Sequence, residues 1–334
     1  MKACQISPRA ADGALHFVEF PRPEPGAGEV VVRMRAASLN YRDLLVLDNM
    51  YGATTERLIP LSDGAGEIAA IGEGVKGLRI GDRVAGAFYP DWISGPISAQ
   101  ARARGLGGSV DGVLAEHVVL PAHAAIPFPA YLTFEEAATL PCAALTAWNA
   151  MTAAHPLRAG ETVVLQGSGG VSVMALQFAR LMGARVIHLS SSPAKCRRLA
   201  DMGADETIDY TAELDWDRRV GELTNGNGAD LVVEVGGPGT LERSFRAVRV
   251  GGSIVSIGFV GGGDGINPRG VIARAIRLIG ISVGSCAMFH EMNRAIGLHR
   301  LRPVVDEVFP FERAADAYAK LRSGGHFGKL VISI

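Results

Sequence analysis

The feature that most constrains the fold is an alternation of strand-like and helix-like segments in the second half of the chain. It begins with the β-branched run 162–165 and ends with the strand-like run 278–283. Between them, helical patterns fall near 171–182, 193–202 and 239–248, and strand-like runs fall at 185–189, 231–235 and 253–257. Because parallel strands need crossover connections, this alternation predicts a doubly wound α/β domain with helices on both faces of a mostly parallel sheet.

A glycine-rich turn follows the first of these strands. Its residues are Gly167, Ser168, Gly169, Gly170 and Val171, and Ser172 completes a Gly-x-Gly-x-x-Ser spacing before a helical pattern. Glycines let the backbone turn sharply and approach a pyrophosphate, whose charge the helix N-terminus stabilises. A glycine turn without a ligand is the alternative, but the strands behind it favour a nucleotide site.

Hydroxyls and cations, rather than a carboxylate, follow the second strand. Ser190, Ser191 and Ser192 precede Lys195, with Arg197 and Arg198 next. An acid here would bind the ribose 2′-hydroxyl of NAD, whereas hydroxyls and cations suit a 2′-phosphate. The sequence therefore favours NADP(H). The alternative is that Ser191 or Ser192 caps the next helix and the cations form its solvated face; one serine could also do both.

The N-terminal and C-terminal parts of the chain show residue patterns that differ from this strand–helix alternation. Residues 1 to about 122 carry short β-branched runs between Gly and Pro, which is typical of an irregular β-rich fold. A Thr133-x-x-Glu136 capping box predicts that a helix opens the second domain. The tail has strand-like and helix-like segments that we expect to return to the first domain. The predicted domains are 1–122 with 300–334, and 123–299.

Composition excludes several classes of protein. The 334 residues carry 33 Lys+Arg and 34 Asp+Glu, a net charge of −1, so no footprint for nucleic acid or a membrane surface is visible. The four cysteines have no paired spacing, which predicts reduced thiols. Neither a signal peptide nor an apolar run long enough to span a membrane is recognisable, so we expect a soluble, cytoplasmic protein with a small-molecule ligand.

The whole chain resembles the medium-chain dehydrogenase/reductase superfamily, and within it the zinc-free, quinone-oxidoreductase-like branch. The resemblance rests on segments in a fixed order: 36–43 (AASLNYRD), 63–68 (DGAGEI), 71–75 (IGEGV), 81–84 (GDRV), 137–141 (AATLP) and 169–171 (GGV). It implies a discontinuous GroES-like catalytic domain, a Rossmann domain, a cleft between them and a homodimer.

Zinc-bearing relatives use a Cys, a His and a further Cys or Asp as catalytic ligands. The matching positions here hold Asn40, Ser62 and Cys142. An amide, a hydroxyl and one thiol are a poor zinc set, so we expect no metal. Cys142 is either the relic of a ligand or simply a small buried thiol. The stretch 88–110, where some relatives carry structural zinc, contains no Cys.

The resemblance also implies roles near the substrate. Asn40 matches an Asn near the nicotinamide ribose and substrate, and Asp43 matches an Asp that supports its loop; alternatively, Asp43 only caps the helix that begins there. Tyr51 lies at the offset of a Tyr that donates a proton or orients substrate in enoyl-thioester reductases, or is a packing anchor.

Further cofactor contacts are expected where later strands end. Gly236 follows the fourth strand and Gly258 the fifth, at the sheet edge where doubly wound folds bind ligands. The resemblance implies that Phe259 and Val260 line the nicotinamide; the alternative is that they pack in an ordinary loop. Tyr210, after the third strand, could hold the adenosine phosphate.

These features predict an NADPH-dependent, zinc-independent oxidoreductase that transfers hydride to a quinone or an α,β-unsaturated carbonyl in the interdomain cleft. One alternative is an alcohol dehydrogenase or aldehyde reductase of the same superfamily. The other is an NADPH-binding regulatory or structural protein without useful turnover.

Overall fold

The computed structural model describes residues 1–7, 15–50, 57–258, 260, 265 and 267–334. Tyr51 and Phe259 of the expected site lie outside these residues. The chain divides into two compact units, the first formed by Met1–Leu145 with Val283–Ile334 and the second by Thr146–Ser282. Within the described ranges, no helix is both long and apolar enough to cross a membrane.

The first unit is built mainly of β-strands. They are β1 Lys2–Ile6, β2 Leu15–Glu19, β3 Glu29–Ser38, β4 Asp63–Ile71, β5 Arg83–Gly86, β6 His117–Pro121, β7 Ala125–Pro127, β14 Val305–Pro310 and β15 Lys329–Ser333. β1 and β2 form an antiparallel pair, and the larger sheet has the order β14-β15-β3-β4-β5-β7, with β6 also paired to β3.

Strand β3 organises this sheet because most of its length is buried. Its first half pairs with β6 and its last residues, Ala36 to Ser38, pair antiparallel with β15. The core beneath it includes Val30, Val32 and Met34. The pairing with β15 brings the C-terminal strand against the chain segment that immediately precedes Asn40.

Short helices cover the strands of the first unit. They are α1 Tyr41–Leu47, α2 Ala99–Arg102, α3 Phe134–Ala137, α10 Cys286–His299 and α11 Ala314–Ser323, with 3-10 turns at Ala122–Ala124 and Phe311–Arg313. A π-helical segment, Leu140–Ala144, follows α3, and α4 Leu145–Asn149 carries the chain into the second unit, where a second π-helical segment, Ala150–Ala154, follows.

The second unit is the predicted doubly wound domain. Its strands are β8 Thr162–Gln166, β9 Arg185–Ser190, β10 Glu206–Asp209, β11 Ala229–Glu234, β12 Val248–Ser256 and β13 Arg277–Gly280. Its helices are α5 Gly170–Leu181, α6 Pro193–Asp201, α7 Trp216–Leu223, α8 Pro238–Ala247 and α9 Arg269–Ala273. All strand pairs are parallel, in the order β10-β9-β8-β11-β12-β13. This is the Rossmann order, whose direction reverses between β8 and β11.

The units differ in their boundaries from the domains expected at 122/123 and 299/300. Arg83 explains the first difference, because its guanidinium stacks on the rings of Phe128 and Phe134 and donates to the carbonyls of Ala130 and Leu132, which ties this stretch to β5. Helix α10 explains the second. Its Asn293 donates to the carbonyl of Pro127, so 283–299 packs within the first unit as well.

Candidate functional site

The glycine turn after β8 has the geometry of a phosphate-binding loop. Gly167 has φ +78°, which an L side chain would strain, and a Cβ added at Gly169 would meet nothing within 4 Å. The Ser172 hydroxyl donates to the carbonyl of Gln166, and the buried His188 imidazole donates from Nε2 to the carbonyl of Gly167 at 2.7 Å. The contacts with Ser172 and His188 therefore fix the loop backbone, while the space beside Gly169 is open to a ligand.

Helix α5 begins at Gly170, directly after this turn. The first N–H groups of a helix have no partner within it, and they carry the positive end of the helix dipole. Ser168 is buried, whereas Gly170 and Val171 are half-buried, so the helix N-terminus is accessible. Together with the open Gly169, this arrangement could hold the pyrophosphate of a dinucleotide.

The end of β9 offers hydroxyl groups and a lysine. Ser190 is fully buried and its Oγ has no hydrogen-bond partner within the described part of the chain, while Ser191 and Ser192 are half-buried. Ser192 accepts the N–H of Lys195 at 3.3 Å and so caps α6, as the alternative interpretation required. The half-buried Ser191, directly before this cap, is accessible to a ligand. Tyr210, 38% exposed, is tied to this turn because its N–H donates to the carbonyl of Ser190.

Glu234, at the end of β11, is a site residue that the sequence patterns did not single out. Its fully buried carboxylate accepts the N–H groups of Gly236 and Gly237 at 2.7 and 3.0 Å, and the Gln166 side chain at 2.8 Å. The hydroxyls of Thr240 and Ser244 donate to it as well. This network fixes the turn that contains Gly236 and ties it to the end of β8.

The end of β12 leads to the remaining expected cofactor contacts. A Cβ at Gly258 would lie 2.7 Å from the carbonyl of Val235, so the backbones of these two strand ends approach closely there. Val260 is 52% exposed. The expected cofactor residues of the second unit that the structure describes thus follow the C-terminal ends of β8, β9, β10, β11 and β12.

In the first unit, Asn40 and Asp43 are in direct contact. Asn40 is the N-cap of α1, and its N–H donates to the Asp43 carboxylate at 2.7 Å. Asp43 therefore both supports the Asn40 turn and caps the helix, so its two suggested roles coincide. Complete burial raises the pKa of Asp43 to about 6, and Arg42, with its guanidinium 3.7 Å away, opposes that shift.

Lys329, on β15, was also missed by the sequence analysis. Only 4% exposed, its ammonium donates to the carbonyl of Leu39 and to Oδ1 of Asn40, both at 2.5 Å, and lies 3.8 Å from Oδ2 of Asp63. The Asn40–Lys329 contact joins residues 289 positions apart. A local pattern gives no signal for such a pair, although a Lys at the start of a largely apolar strand is a weak signal.

Asn40, Ser62 and Cys142, which the resemblance matches to zinc ligands of other members, meet at Asp63. Ser62 donates its hydroxyl to this carboxylate at 2.7 Å, the N–H of Cys142 donates to it at 3.1 Å, and Lys329 links it to Asn40. Burial raises the pKa of the Asp63 carboxyl despite these contacts, Lys329 being the strongest opposing influence.

This group of side chains does not suit a divalent metal. Burial, followed by the charge of Asp63, raises the pKa of the Cys142 thiol far above its ordinary value, which disfavours the thiolate that binds metal. The Ser62 hydroxyl is engaged, and the ammonium of Lys329 would repel a cation beside Asn40. Within the described ranges, no group of three His, Cys, Asp or Glu side chains is arranged to hold a metal ion.

A Rossmann sheet with an open glycine turn, joined to a β-rich unit that carries a buried polar cluster, defines the class of two-unit dinucleotide-dependent oxidoreductases. Two family models match the chain: "Alcohol dehydrogenase GroES-like domain" over residues 26–130 and "Zinc-binding dehydrogenase" over residues 170–298. The chain belongs to the medium-chain dehydrogenase/reductase superfamily, as its resemblance predicted.

Similar proteins cover the chain nearly end to end. A zinc-type alcohol dehydrogenase-like protein of Schizosaccharomyces pombe is 41% identical over 316 residues, which are 92% of this chain and 91% of that protein. The crystal structure of an NAD-dependent alcohol dehydrogenase is 35% identical, with a TM-score of 0.91 and full coverage of both chains. The quinone oxidoreductase of Thermus thermophilus, solved alone and with NADPH, is 31% identical, with a TM-score of 0.79 and full coverage of both chains.

Proposed function

We propose that this oxidoreductase is NADPH-dependent and metal-independent, and that it transfers hydride to a quinone or an α,β-unsaturated carbonyl. The observation that carries this proposal is the contact of Lys329 with Asn40 and Asp63. An ammonium in this position supplies positive charge where a metal would be repelled. Without a Lewis acid, the substrate must already be electrophilic or be polarised by hydrogen bonds, and conjugated carbonyls and quinones meet that condition.

The turn after β9 supports the choice of NADPH. Ser190, Ser191 and Ser192 present no carboxylate that would repel a 2′-phosphate, and Lys195 lies in the first turn of the helix that follows them. Similar structures include both an NAD-dependent enzyme and one solved with NADPH, so the comparisons favour neither cofactor. The preference for NADPH therefore rests on the residues of this turn.

The chain's own groups account for the charge that develops in the reaction. When bound, the reduced nicotinamide supplies the hydride, which adds to the β-carbon of an enone or to the quinone ring system. Negative charge then grows on the carbonyl oxygen, and we assign the amide of Asn40 as the donor that stabilises it. A proton completes the reduction, and Tyr51 is the residue we propose to donate or relay it.

Stopped-flow oxidation of NADPH and NADH by metal-stripped protein tests this function. The acceptors are 1,4-benzoquinone, an enone and a crotonyl thioester, with a simple aldehyde as the control. We expect turnover with NADPH that survives chelation, fastest with one of the conjugated acceptors. Activity that is lost on chelation and restored by zinc would contradict the metal-free assignment.

An alcohol dehydrogenase or aldehyde reductase is the second candidate, because two of the similar proteins carry alcohol dehydrogenase names. The same assay separates it, since that function requires turnover of the aldehyde, or of a simple alcohol in reverse. Tight NADPH binding without turnover of any acceptor would instead support a regulatory or structural protein.

A further inference from the structure

The Lys329 ammonium is buried in a polar cluster of the first unit that also contains Asn40, Asp43, Asp63 and Arg42. Its two shortest contacts are to the carbonyl of Leu39 and to Oδ1 of Asn40, both at 2.5 Å. The nearest carboxylate, that of Asp63, is farther away at 3.8 Å. Lys329 therefore directs its closest hydrogen bonds at the Asn40 turn rather than at its acidic neighbour.

These contacts fix which way the Asn40 amide faces. An ammonium only donates, so it selects the oxygen of the amide and excludes the rotamer in which the two amide atoms exchange places. The backbone of Asn40 is held independently, because its N–H donates to Asp43 at 2.7 Å. Both the position of the residue and the direction of its amide are thus determined by the described structure.

The other end of that amide is a donor without a close acceptor among the described residues. Nδ2 of Asn40 is buried and makes no close hydrogen bond there; its more distant approach to the Asp63 carboxylate is a weak hydrogen bond that helps to lower the pKa of that carboxyl. Native proteins rarely leave a buried donor unsatisfied, and such groups often have a functional role. An oxygen atom brought by a ligand would satisfy it.

We propose that Lys329 is a positioning residue: by holding Oδ1 of Asn40, it keeps Nδ2 available as the hydrogen-bond donor to the substrate's carbonyl or quinone oxygen. The inference rests on the proposed function for the identity of that oxygen. It does not require Lys329 to touch the substrate. If Lys329 served only stability, its contacts with Leu39 and Asp63 would be enough. Only the positioning role requires the contact with Asn40, so that contact distinguishes the two explanations.

A double-mutant cycle measures that contact. Lys329→Met keeps the length and apolar stem of the side chain but removes its donors, and Asn40→Ala removes the amide. We expect Lys329→Met to lower kcat by about 10- to 100-fold. This decrease should not exceed the decrease in kcat that follows complete loss of an oxyanion donor. The KM for NADPH should change less than about threefold. In the Asn40→Ala background, Lys329→Met should lower kcat by no more than about twofold further, because both substitutions remove one interaction.

Lys320→Met is the matched control. Lys320 is a half-buried lysine on α11 of the same unit, 3.7 Å from Glu307, and it lies outside the polar cluster. Its substitution should leave kcat unchanged. Additive effects of Lys329→Met and Asn40→Ala, or a kcat of Lys329→Met within twofold of wild type, would overturn the proposal. If Lys329→Met lacks a cooperative melting transition, Lys329→Leu replaces it with the same expectations, since a Leu side chain also has no donor for Asn40.

A second readout does not depend on turnover. In protein labelled with ¹⁵N-asparagine, the Asn40 side-chain amide is identified by its absence from the spectrum of Asn40→Ala. We expect its hydrogen exchange to be slow in the wild-type protein and at least about tenfold faster in Lys329→Met, because the amide is then free to rotate. Unchanged exchange would overturn the positioning role. If the wild-type protein turns over no acceptor, the proposed function fails, while this experiment still decides whether Lys329 orients Asn40.

Discussion

His188 shows how one buried side chain can link the nucleotide loop to stability. It lies on β9 with no exposed surface, and its Nε2 donates to the carbonyl of Gly167 in the glycine turn. Burial lowers the pKa of His188 from its ordinary 6.5 to about 4, although the hydrogen bond to Gly167 opposes the shift. The imidazole is therefore neutral in the folded protein at pH 5, where it would be protonated in the unfolded chain.

This difference predicts a pH-dependent contribution to stability. The folded pKa lies below the unfolded one, so the stabilisation is complete above pH 6.5 and is lost as pH falls towards 4. Replacing His188 by Gln, which can still donate to Gly167 but does not titrate, should remove this dependence. The free energy of unfolding of the wild type, relative to His188→Gln, should fall by about 2 kcal/mol between pH 7 and pH 5. Urea denaturation at each pH measures it.

The variant comparison is needed because Asp43 acts in the opposite direction. Its folded pKa of about 6 lies above its ordinary 3.8, so its contribution favours the folded state at low pH and declines as pH rises from 3.8 to 6. The two slopes largely cancel in the wild type, whereas the difference from His188→Gln isolates the histidine. His299→Gln, at an exposed histidine of α10, is the control. Parallel pH profiles for wild type and His188→Gln would refute the assignment.

The turn between β9 and α6 determines the cofactor preference in the proposed function. Ser191 is half-buried and immediately precedes the helix cap. In Ser191→Asp, the new carboxylate should repel a 2′-phosphate and accept the ribose hydroxyls of NADH instead. We expect the ratio of kcat/KM for NADPH over NADH to fall by at least about tenfold. Initial rates with each cofactor at a fixed acceptor concentration measure this ratio.

Two further variants complete that experiment. Lys195→Gln should lower the same ratio by removing a cation, whereas Lys76→Gln, at an exposed lysine of the first unit, should not alter it. If Ser191→Asp keeps the wild-type ratio, the serines serve only as part of the helix cap and the NADPH assignment loses its structural basis.

The turn between β11 and α8 depends on Glu234 in a different way. Because its buried carboxylate accepts from five donors, a neutral amide would place an NH₂ group against groups that themselves donate. Glu234→Gln should destabilise the protein by about 1–3 kcal/mol, the cost of leaving buried donors unpaired. Chemical denaturation measures this loss. Glu213→Gln, at an exposed position, should change stability by less than about 0.5 kcal/mol. If the two substitutions changed stability equally, the Glu234 carboxylate would not be needed to accept these five hydrogen bonds.

At the scale of these elements, the sequence predicted what local patterns encode. Strands β8, β9 and β11 fall within a residue or two of the expected runs because buried parallel strands are continuous apolar segments, whereas β12 begins five residues before its expected run, at Val248. The glycine turn was visible for the same reason, since its chemistry lies within seven consecutive residues. The roles of His188 and Glu234 were not predicted, because sheet pairing brings Gly167 to His188 and adds Gln166 to the local contacts of Glu234.

At the scale of the whole molecule, the sequence predicted a discontinuous first domain but placed its limits differently from the compact units. The helix opened by the Thr133 capping box forms as expected, with Glu136 accepting from the backbone of Thr133 at 2.8 Å. A capping box, however, specifies where a helix begins and not what it packs against. Arg83 decides that here, through contacts with residues about 50 positions along the chain. The roles of Tyr51 and Phe259 and the homodimer stay predictions.

The division into units leads to a prediction about the isolated nucleotide-binding half. Thr146–Ser282 is one continuous stretch that contains all six strands of the parallel sheet. It has its own core, in which Val164, Ile187 and Val232 are fully buried. Expressed alone, it should melt cooperatively, and saturating NADPH should raise its Tm, because a ligand that binds only the folded state stabilises it by mass action.

Turnover should be absent from this fragment, since it lacks Asn40 and Lys329, whereas its affinity for NADPH should lie within about tenfold of that of the full chain. Gly169→Asp in the same fragment is the control for specific binding. Its side chain enters open space, so the fold should survive, but its carboxylate would repel the pyrophosphate. Its melting curve should therefore be indifferent to NADPH. A parent fragment that does not fold, or whose Tm does not respond to saturating NADPH, would show that nucleotide binding needs the first unit as well.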